Sequence, residues 1–214
     1  SEEEEDETMD DDAAVVHAQL ADVHARLQQA KRRVRQTIDA FGSAPWSKVV
    51  YQSQPAWKVP RARPASRAYY KLWEMLHACI VPRPSTSLHL CEAPGSFVEA
   101  CLDKFGPTLQ WRAVSVASGP RFASHFARDV RTASVLENSD LLRSDVRDAL
   151  VDSMYGGVDL VTGDGAFDVN HDALESSMLP LFESQIDVAL RVCRPRGTVI
   201  VKFFEGCTVG TLHT

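Results

Sequence analysis

Apolar residues follow two patterns along the chain, one typical of amphipathic helices and one typical of buried strands. Helices are predicted over residues 13–41, 66–80, 144–153 and 178–193. The last of them is predicted to have Leu181, Ile186, Leu190 and Val192 on its apolar side and to be followed by a turn at 194–197. Strands are predicted over residues 88–91, 111–116, 158–162 and 198–204, with a further short strand near 134–136. Strands that alternate with helices, and that are mostly apolar throughout, predict an α/β fold whose mostly parallel sheet is covered on both faces.

Residues 88–102 stand at the centre of this pattern because they combine a strand, a tight turn and a helix. Pro94 and Gly95 mark the turn, and Phe97, Ala100 and Cys101 form the apolar face of the helix that follows. A helix that starts at the carboxyl edge of a sheet leaves backbone N–H groups without helical partners. We therefore predict a ligand site at this turn.

Candidate chemistry lies at two further strand ends. Asp164 stands between Gly163 and Gly165 directly after an apolar strand, where it could face a cleft or only stabilise the turn. Lys202 lies inside the apolar run 198–204, so its ammonium group requires a carboxylate nearby, and Asp164 is the expected partner. A desolvated lysine gives up its proton more readily, which makes Lys202 a candidate general base.

The composition, with 44% hydrophobic and 24% charged residues in 214, fits one domain with a sizeable core and an additional arm. No apolar run approaches the roughly 18 residues of a membrane span, so no membrane association is expected. Five cysteines without a C-x-x-C pair indicate reduced core thiols of an intracellular protein. His89 and Cys91 share a strand face, which is too little for a metal site.

Charge is distributed unevenly along the chain. Residues 1–12 hold nine of the 29 acids and no base, so residues 13–214 carry 23 bases against 20 acids. The acidic tail is expected to be disordered. The bases form two clusters that suit a polyanion, although the first also fits a solvated helix face. These clusters are Lys31, Arg32, Arg33 and Arg35, and then Lys58, Arg61, Arg63, Arg67 and Lys71.

Three regions follow from these patterns, an acidic tail over 1–12, a helical extension and connector over 13–64, and a domain over 65–214. The long helix of the extension could pack against the domain or bind a protein partner. Trp46 and Trp57 in the connector could stack on bases or on a cap nucleotide, or could anchor the connector to the domain.

Four segments resemble the FtsJ-like RNA 2′-O-ribose methyltransferases, and most closely their mRNA cap branch. They are SRAYYKLWEM at 66–75, LHLCEAPGSF at 88–97, DLVTGDGAF at 159–167 and VIVKFF at 199–204. The resemblance implies a Rossmann-like methyltransferase fold, S-adenosylmethionine as cofactor and RNA as partner, with the 5′ end of capped mRNA preferred. It is also consistent with an intracellular location, nuclear in preference to cytoplasmic.

The same resemblance implies roles for individual residues. The catalytic set would include Lys71, Asp164 and Lys202, with Asp164 also near the cofactor. Asp145 would contact the adenine amino group. The remaining cofactor-binding residues would be those of the first motif, Glu92, Ala93, Pro94, Gly95, Ser96 and Phe97.

The sequence departs from the family pattern at its C-terminal side. The family's fourth catalytic residue, a glutamate on a later strand, has no counterpart, because Glu205 follows the Lys202 strand too closely. We therefore expect a C-terminally incomplete methyltransferase domain that lacks its last strand or strands. The leading hypothesis is cap-proximal 2′-O-methylation of mRNA with Lys202 as general base. The alternatives are a ribosomal RNA 2′-O-methyltransferase and a non-catalytic methyltransferase-like module for RNA binding or assembly.

Overall fold

The computed structural model describes residues 58–61, 63–126, 139–166 and 174–202, and seven single positions between 25 and 40. The chain divides into two compact units, residues 1–54 and 55–214. In the first unit the described positions are helical and exposed, as the predicted long helix requires; they are Ala25, Arg26, Gln29, Arg32, Arg33, Gln36 and Ala40. The acidic tail, Trp46, Trp57 and the predicted strand at 134–136 lie outside the described residues.

The second unit is built on a parallel sheet of four described strands in the order β2-β1-β3-β4. The strands are β1 (Thr86–Leu90), β2 (Gln110–Val114), β3 (Val158–Gly163) and β4 (Cys193–Val201). The inner strands β1 and β3 are almost entirely buried, and the polar side chains of Ser87 and His89 in β1 bond to each other in the interior. The predicted α/β class, with a mostly parallel sheet, is confirmed.

Helices cover both faces of this sheet. They are α1 (Ala68–Ala78), α2 (Ser96–Phe105), α3 (Ser144–Ser153) and α4 (Leu174–Val192). One apolar cluster joins α1 and α2 to Leu160 of β3, and another joins α3 and α4 to Leu88 and Leu90 of β1. The predicted apolar faces of α1 and α2 are buried as expected.

Two details of the final helix and strand differ from the sequence-based prediction. Leu190, predicted on the apolar side of α4, is 72% exposed, and the buried stripe instead runs through Leu181, Val188 and Val192. The ladder between β3 and β4 pairs Val158 with Cys193 and then Leu160 with Thr198. The predicted turn at 194–197 therefore leaves the ladder as a bulge inside β4.

The four described cysteines carry free thiols, as predicted, but they do not all belong to the core. Cys101 is buried, Cys91 and Cys193 are half-buried, and Cys79 is exposed after the end of α1. Cys79 follows the last helical residue, where the chain turns outward, so its apolar sequence neighbours did not imply burial. No helix in the described parts of the chain is long and apolar enough to cross a membrane.

The register of the sheet brings the strand ends into one row. Leu90 of β1 lies beside Val114 of β2 and Gly163 of β3, and Gly163 lies beside Val201 of β4. The next residue after three of these ends is Cys91, Asp164 or Lys202. A parallel sheet thus collects residues that are more than 100 positions apart at one edge.

Candidate functional site at the carboxyl edge of the sheet

Asp164 and Lys202 form an ion pair at this edge. The Nζ of Lys202 lies 2.6 Å from Oδ1 of Asp164 and donates a hydrogen bond to the Asp164 carbonyl over 3.2 Å. Backbone bonds fix both residues, since the Lys202 N–H donates to Gly163 and the Asp164 N–H donates to Leu90. Both side chains stay partly accessible, with 24% and 17% exposure, so the pair can meet a ligand.

Gln185 of α4 supports the loop that carries Asp164. Its side chain is 1% exposed, its Oε1 accepts a hydrogen bond of 3.1 Å from the Gly165 N–H, and its Nε2 donates to the Leu181 carbonyl. A Cβ at Gly163 or Gly165 would collide with this amide. The glycines around Asp164 therefore make room for Gln185. The sequence signal for this residue was a polar side chain four positions after Leu181, on the buried face of α4.

The first-motif loop, residues 91–95, lies beside the ion pair and is closed by Glu92. The Glu92 N–H donates to the Val114 carbonyl over 3.0 Å, and the Glu92 carbonyl accepts from Gly95 over 2.7 Å. Its Oε1 accepts hydrogen bonds from the N–H groups of Phe97 and Val98, at 2.7 and 3.0 Å. The helix-start N–H groups predicted to await a ligand are thus bonded to Glu92.

Gly95 begins α2 in a left-handed conformation, with φ of 111°. A Cβ at this position would collide with the ring of Phe126. The segment 121–126 is tied to the loop through the Ala123 N–H, which donates to the Pro94 carbonyl over 3.0 Å. Gly95 is therefore required both by its backbone conformation and by the close approach of Phe126.

Cys91 is the first residue of the loop, and the charges of Asp164 and Lys202 act on its thiol. The pKa of the thiol is raised to about 12, mainly by burial; the carboxylates of Asp164, Asp140 and Glu92 contribute in the same direction, and Lys202 opposes them. The thiol therefore keeps its proton and is a poor nucleophile. Its φ of 54° shows that the chain turns sharply as it leaves β1.

Asp140 and Asp145 occupy different environments. The Ser139 hydroxyl donates to the Ser115 carbonyl, which places Asp140 just past the end of β2, and the Asp140 charge acts on Cys91. Asp145, predicted to contact adenine, lies in the first turn of α3 with a 65% exposed side chain. Its carboxylate pairs with Arg143 over 2.5 Å, and this hydrogen bond holds the pKa of Asp145 below its usual value. Sequence reasoning did not single out Asp140.

Lys71 is exposed on α1, next in sequence to the buried Leu72. The ion pair of the site joins Asp164 and Lys202, and Lys71 takes no part in it. The ion pair therefore joins two of the three residues that were predicted to be catalytic. Ser96, at the start of α2, donates a 2.7 Å hydrogen bond to the Ser66 hydroxyl, so the residues leading into α1 lie at the same sheet edge.

A polar cluster, which we call the tether, fastens residues 61–69 to α2. The Arg61 guanidinium makes two hydrogen bonds to the Asp103 carboxylate, at 3.0 and 2.9 Å, and lies 3.5 Å from Glu99. Glu99 is 1% exposed and also accepts a hydrogen bond from the Ala65 N–H, over 2.7 Å. The Tyr69 hydroxyl donates to Asp103 over 2.9 Å. The sequence signal was a glutamate within the apolar run of α2.

His89 is a structural residue. It is fully buried in β1, where its ring nitrogens lie 2.9 Å from the Ser87 hydroxyl and 2.7 Å from that of Thr162. Burial lowers the pKa of His89 to about 3, so the ring stays neutral. The part of the chain that is described contains no group of three or more potential metal ligands.

Two known proteins resemble the chain. A cap-specific mRNA (nucleoside-2′-O-)-methyltransferase 2 from Drosophila melanogaster is 28% identical over 232 aligned residues, which cover 88% of this chain and 32% of that protein. Ribosomal RNA large subunit methyltransferase E from Methanothermobacter thermautotrophicus is 27% identical over 144 residues, which cover 66% of this chain and 65% of that protein. The chain thus spans about a third of the first relative and under two thirds of the second.

A family model described as FtsJ-like methyltransferase matches residues 64–213. The match includes all four described strands and helices α1 to α4. It also contains the first-motif loop and the Asp164–Lys202 pair, and it covers more than half of the 214 residues. The chain therefore belongs to the FtsJ-like methyltransferase family.

Proposed function

We propose that the protein transfers a methyl group from S-adenosylmethionine to a ribose 2′-hydroxyl of RNA, on cap-proximal nucleotides of mRNA. The observation that carries this proposal is the Asp164–Lys202 ion pair, 2.6 Å long and partly open, beside the first-motif loop. Such a reaction would take place inside the cell, and we expect the nucleus in preference to the cytoplasm.

The chain's residues can supply the proton chemistry of this reaction. A hydroxyl attacks a methyl carbon effectively only when a base accepts its proton. The Lys202 ammonium group would first release a proton to solvent. The neutral Nζ would then accept the hydroxyl proton, while Asp164 keeps the lysine side chain in position. Lys71 would contribute positive charge toward the developing alkoxide when RNA is bound.

The carboxyl edge also fits the cofactor. Gly95, with φ of 111°, lets the loop backbone pass close to the carboxyl ends of the strands. The Cys91 thiol stays protonated, so it would not compete for the methyl group. Residues 92–97 and Asp164 would hold the cofactor, and Asp145 would contact the adenine amino group. When bound, S-adenosylmethionine supplies an activated methyl group. The residues around it would orient the hydroxyl and exclude water.

A basic face supports RNA as the substrate. Residues 58–71 contain five bases and no acid, and the Arg61 guanidinium binds Asp103 in the tether. Lys58, Arg63, Arg67 and Lys71 are exposed. Because the Ser66–Ser96 bond holds this segment at the carboxyl edge, its charge could attract the phosphate backbone toward Lys202.

The test is a methyl-transfer assay with labelled S-adenosylmethionine and two RNAs of one sequence, one capped and one uncapped. We expect label on a cap-proximal ribose of the capped RNA. Lys202→Ala should lower the rate by about 10²- to 10⁴-fold, the usual contribution of a general base, while binding of S-adenosylhomocysteine persists. Lys104→Ala is the matched control, because Lys104 lies on α2 away from the strand ends.

Three results would contradict the proposal or part of it. Equal labelling of both RNAs would overturn cap specificity and favour the ribosomal RNA alternative. A Lys202→Ala variant with unchanged rate would overturn the assigned base. Binding of S-adenosylmethionine without any methyl transfer would favour the alternative of a non-catalytic methyltransferase-like module.

A further inference from the structure

The carboxyl group of Glu92 caps the first turn of α2 from the buried side of the helix. The residue at the helix N-cap is Gly95, which has no side chain to bond the first N–H groups. Glu92 reaches over the turn instead, and its Oε1 accepts from Phe97 and Val98, the second and third helical residues. Glu92 is only 4% exposed, so water cannot easily replace it.

We propose that Glu92 is a positioning and specificity residue, which fixes the first-motif loop for a nucleoside cofactor and keeps phosphate groups out of the cradle. The choice of S-adenosylmethionine as that cofactor rests on the function proposed above. The exclusion of phosphate rests on Glu92 alone. A helix start after a strand and a glycine turn commonly binds phosphate through its free N–H groups. Here two of those groups are already bonded.

The loop depends on Glu92 at both its backbone and its side chain. The Glu92 N–H holds the loop to the end of β2, and its carbonyl receives the N–H of Gly95. The side chain then binds the loop to the first turn of α2. Loss of the side chain would release two N–H groups and let residues 93–95 move, so a cofactor would have to order them on binding.

The acceptor oxygen, more than the negative charge, carries this role. Burial raises the pKa of Glu92 to about 8, although the hydrogen bonds from Val98 and Phe97 oppose the shift. Both N–H groups donate to the same oxygen, Oε1, and the raised pKa favours a proton on the other oxygen. A glutamine offers the same acceptor at the same reach. An aspartate keeps the acid but is one methylene shorter.

Three variants separate these features, namely Glu92→Gln, Glu92→Asp and Glu92→Ala. Calorimetry with S-adenosylhomocysteine should give Glu92→Gln an affinity within about threefold of the wild type. Glu92→Asp and Glu92→Ala should bind about tenfold more weakly, as expected for loss of a helix cap. Excess pyrophosphate should not compete with S-adenosylhomocysteine for the wild-type protein. Glu74→Ala is the matched control, because Glu74 is exposed on α1.

Amide NMR resonances of Phe97 and Val98 provide a readout that needs no ligand. In the wild type both should shift with pH around a midpoint near 8, the pKa of Glu92. In Glu92→Gln the titration should vanish while the resonances stay close to their wild-type positions at low pH. A purely structural loss elsewhere would not abolish the titration at these two amides alone.

Three outcomes would overturn the inference. They are wild-type affinity in Glu92→Ala, wild-type affinity in Glu92→Asp, and displacement of S-adenosylhomocysteine by pyrophosphate. If Glu92→Ala does not fold, the affinities of Glu92→Gln and Glu92→Asp and the wild-type amide titration still test the inference. A wild-type protein that binds no S-adenosylhomocysteine would overturn the proposed function instead, and the amide titration would still test the role of Glu92.

Discussion

Asp159 and Asp164 lie near opposite ends of β3, and their surroundings differ sharply. Asp159 accepts hydrogen bonds from the N–H and hydroxyl groups of Ser85 and Thr86, at 2.6 to 3.2 Å. It also pairs with Arg194 over 2.9 Å. Asp164 pairs with Lys202 and stands at the edge where the first-motif loop begins.

The difference shows how one residue type serves two purposes on one strand. A carboxylate surrounded by backbone and hydroxyl donors from neighbouring segments is committed to the fold. A carboxylate held by one lysine can redirect that lysine toward a ligand. The amino edge of the sheet is thus closed by Asp159, and the carboxyl edge offers a reactive pair.

Of the changes that compare the two aspartates, Asp164→Asn should have the largest effect. The amide keeps the size of the side chain but loses the charge that holds Lys202 in position. The single-turnover rate of methyl transfer should fall about a hundredfold, the typical result of a misplaced catalytic group. The free energy of unfolding should change little. An unchanged transfer rate would remove Asp164 from the proposed mechanism.

Asp159→Ala should lower folding stability and leave methyl transfer unchanged. Its donors from Ser85 and Thr86 lose their acceptor, and Arg194 loses its carboxylate partner. The free energy of unfolding, measured by urea denaturation, should fall by about 2 kcal/mol. Methyl transfer per folded molecule should stay at the wild-type rate. A loss of transfer without a loss of stability would contradict the assignment of Asp159 to the fold.

Lowering the pH should reveal the contribution of Asp159 to folding stability. The hydrogen bond from Ser85 is the main cause that holds the pKa of Asp159 well below its usual range. A depressed pKa adds stability above about pH 4 that is lost as the pH falls further. Below about pH 4 the wild type should lose about 1 kcal/mol more than Asp159→Asn. Parallel curves of unfolding free energy against pH would contradict this account.

The smallest effect belongs to Arg194→Ala. Its ion pair with Asp159 is exposed, with 43% and 28% of the two side chains accessible. Such a pair contributes about 0.5 kcal/mol and weakens with salt. Denaturation at low and high salt should therefore give a small difference from the wild type that shrinks in salt. A cost as large as that of Asp159→Ala would mean that Arg194 is the main partner.

The sheet and the Asp164–Lys202 pair could be predicted because periodicity is local and parallel strands align their ends. Asp164 and Lys202 each follow an apolar run, so a parallel arrangement had to bring them to one edge. Lys71 could be assigned to an exposed helix face for the same reason. What periodicity cannot supply is the direction in which a polar side chain turns once its backbone position is known.

Glu92 illustrates this limit. Its place in the first-motif loop was evident, but whether its carboxyl group meets a ligand or its own helix depends on the turn geometry. Gln185 and Asp140 were missed because their partners lie in other segments. The Arg61–Asp103 bonds join residues 42 positions apart, a separation that no local pattern encodes.

The tether has a consequence for how this domain can be cut and joined. The family match begins at residue 64, yet Arg61 supplies the cation for Asp103 and lies beside the buried Glu99. A chain that begins after Arg61 would leave Asp103 and Glu99 of α2 without that charge. A chimaera that exchanges N-terminal arms should therefore place its junction upstream of Lys58.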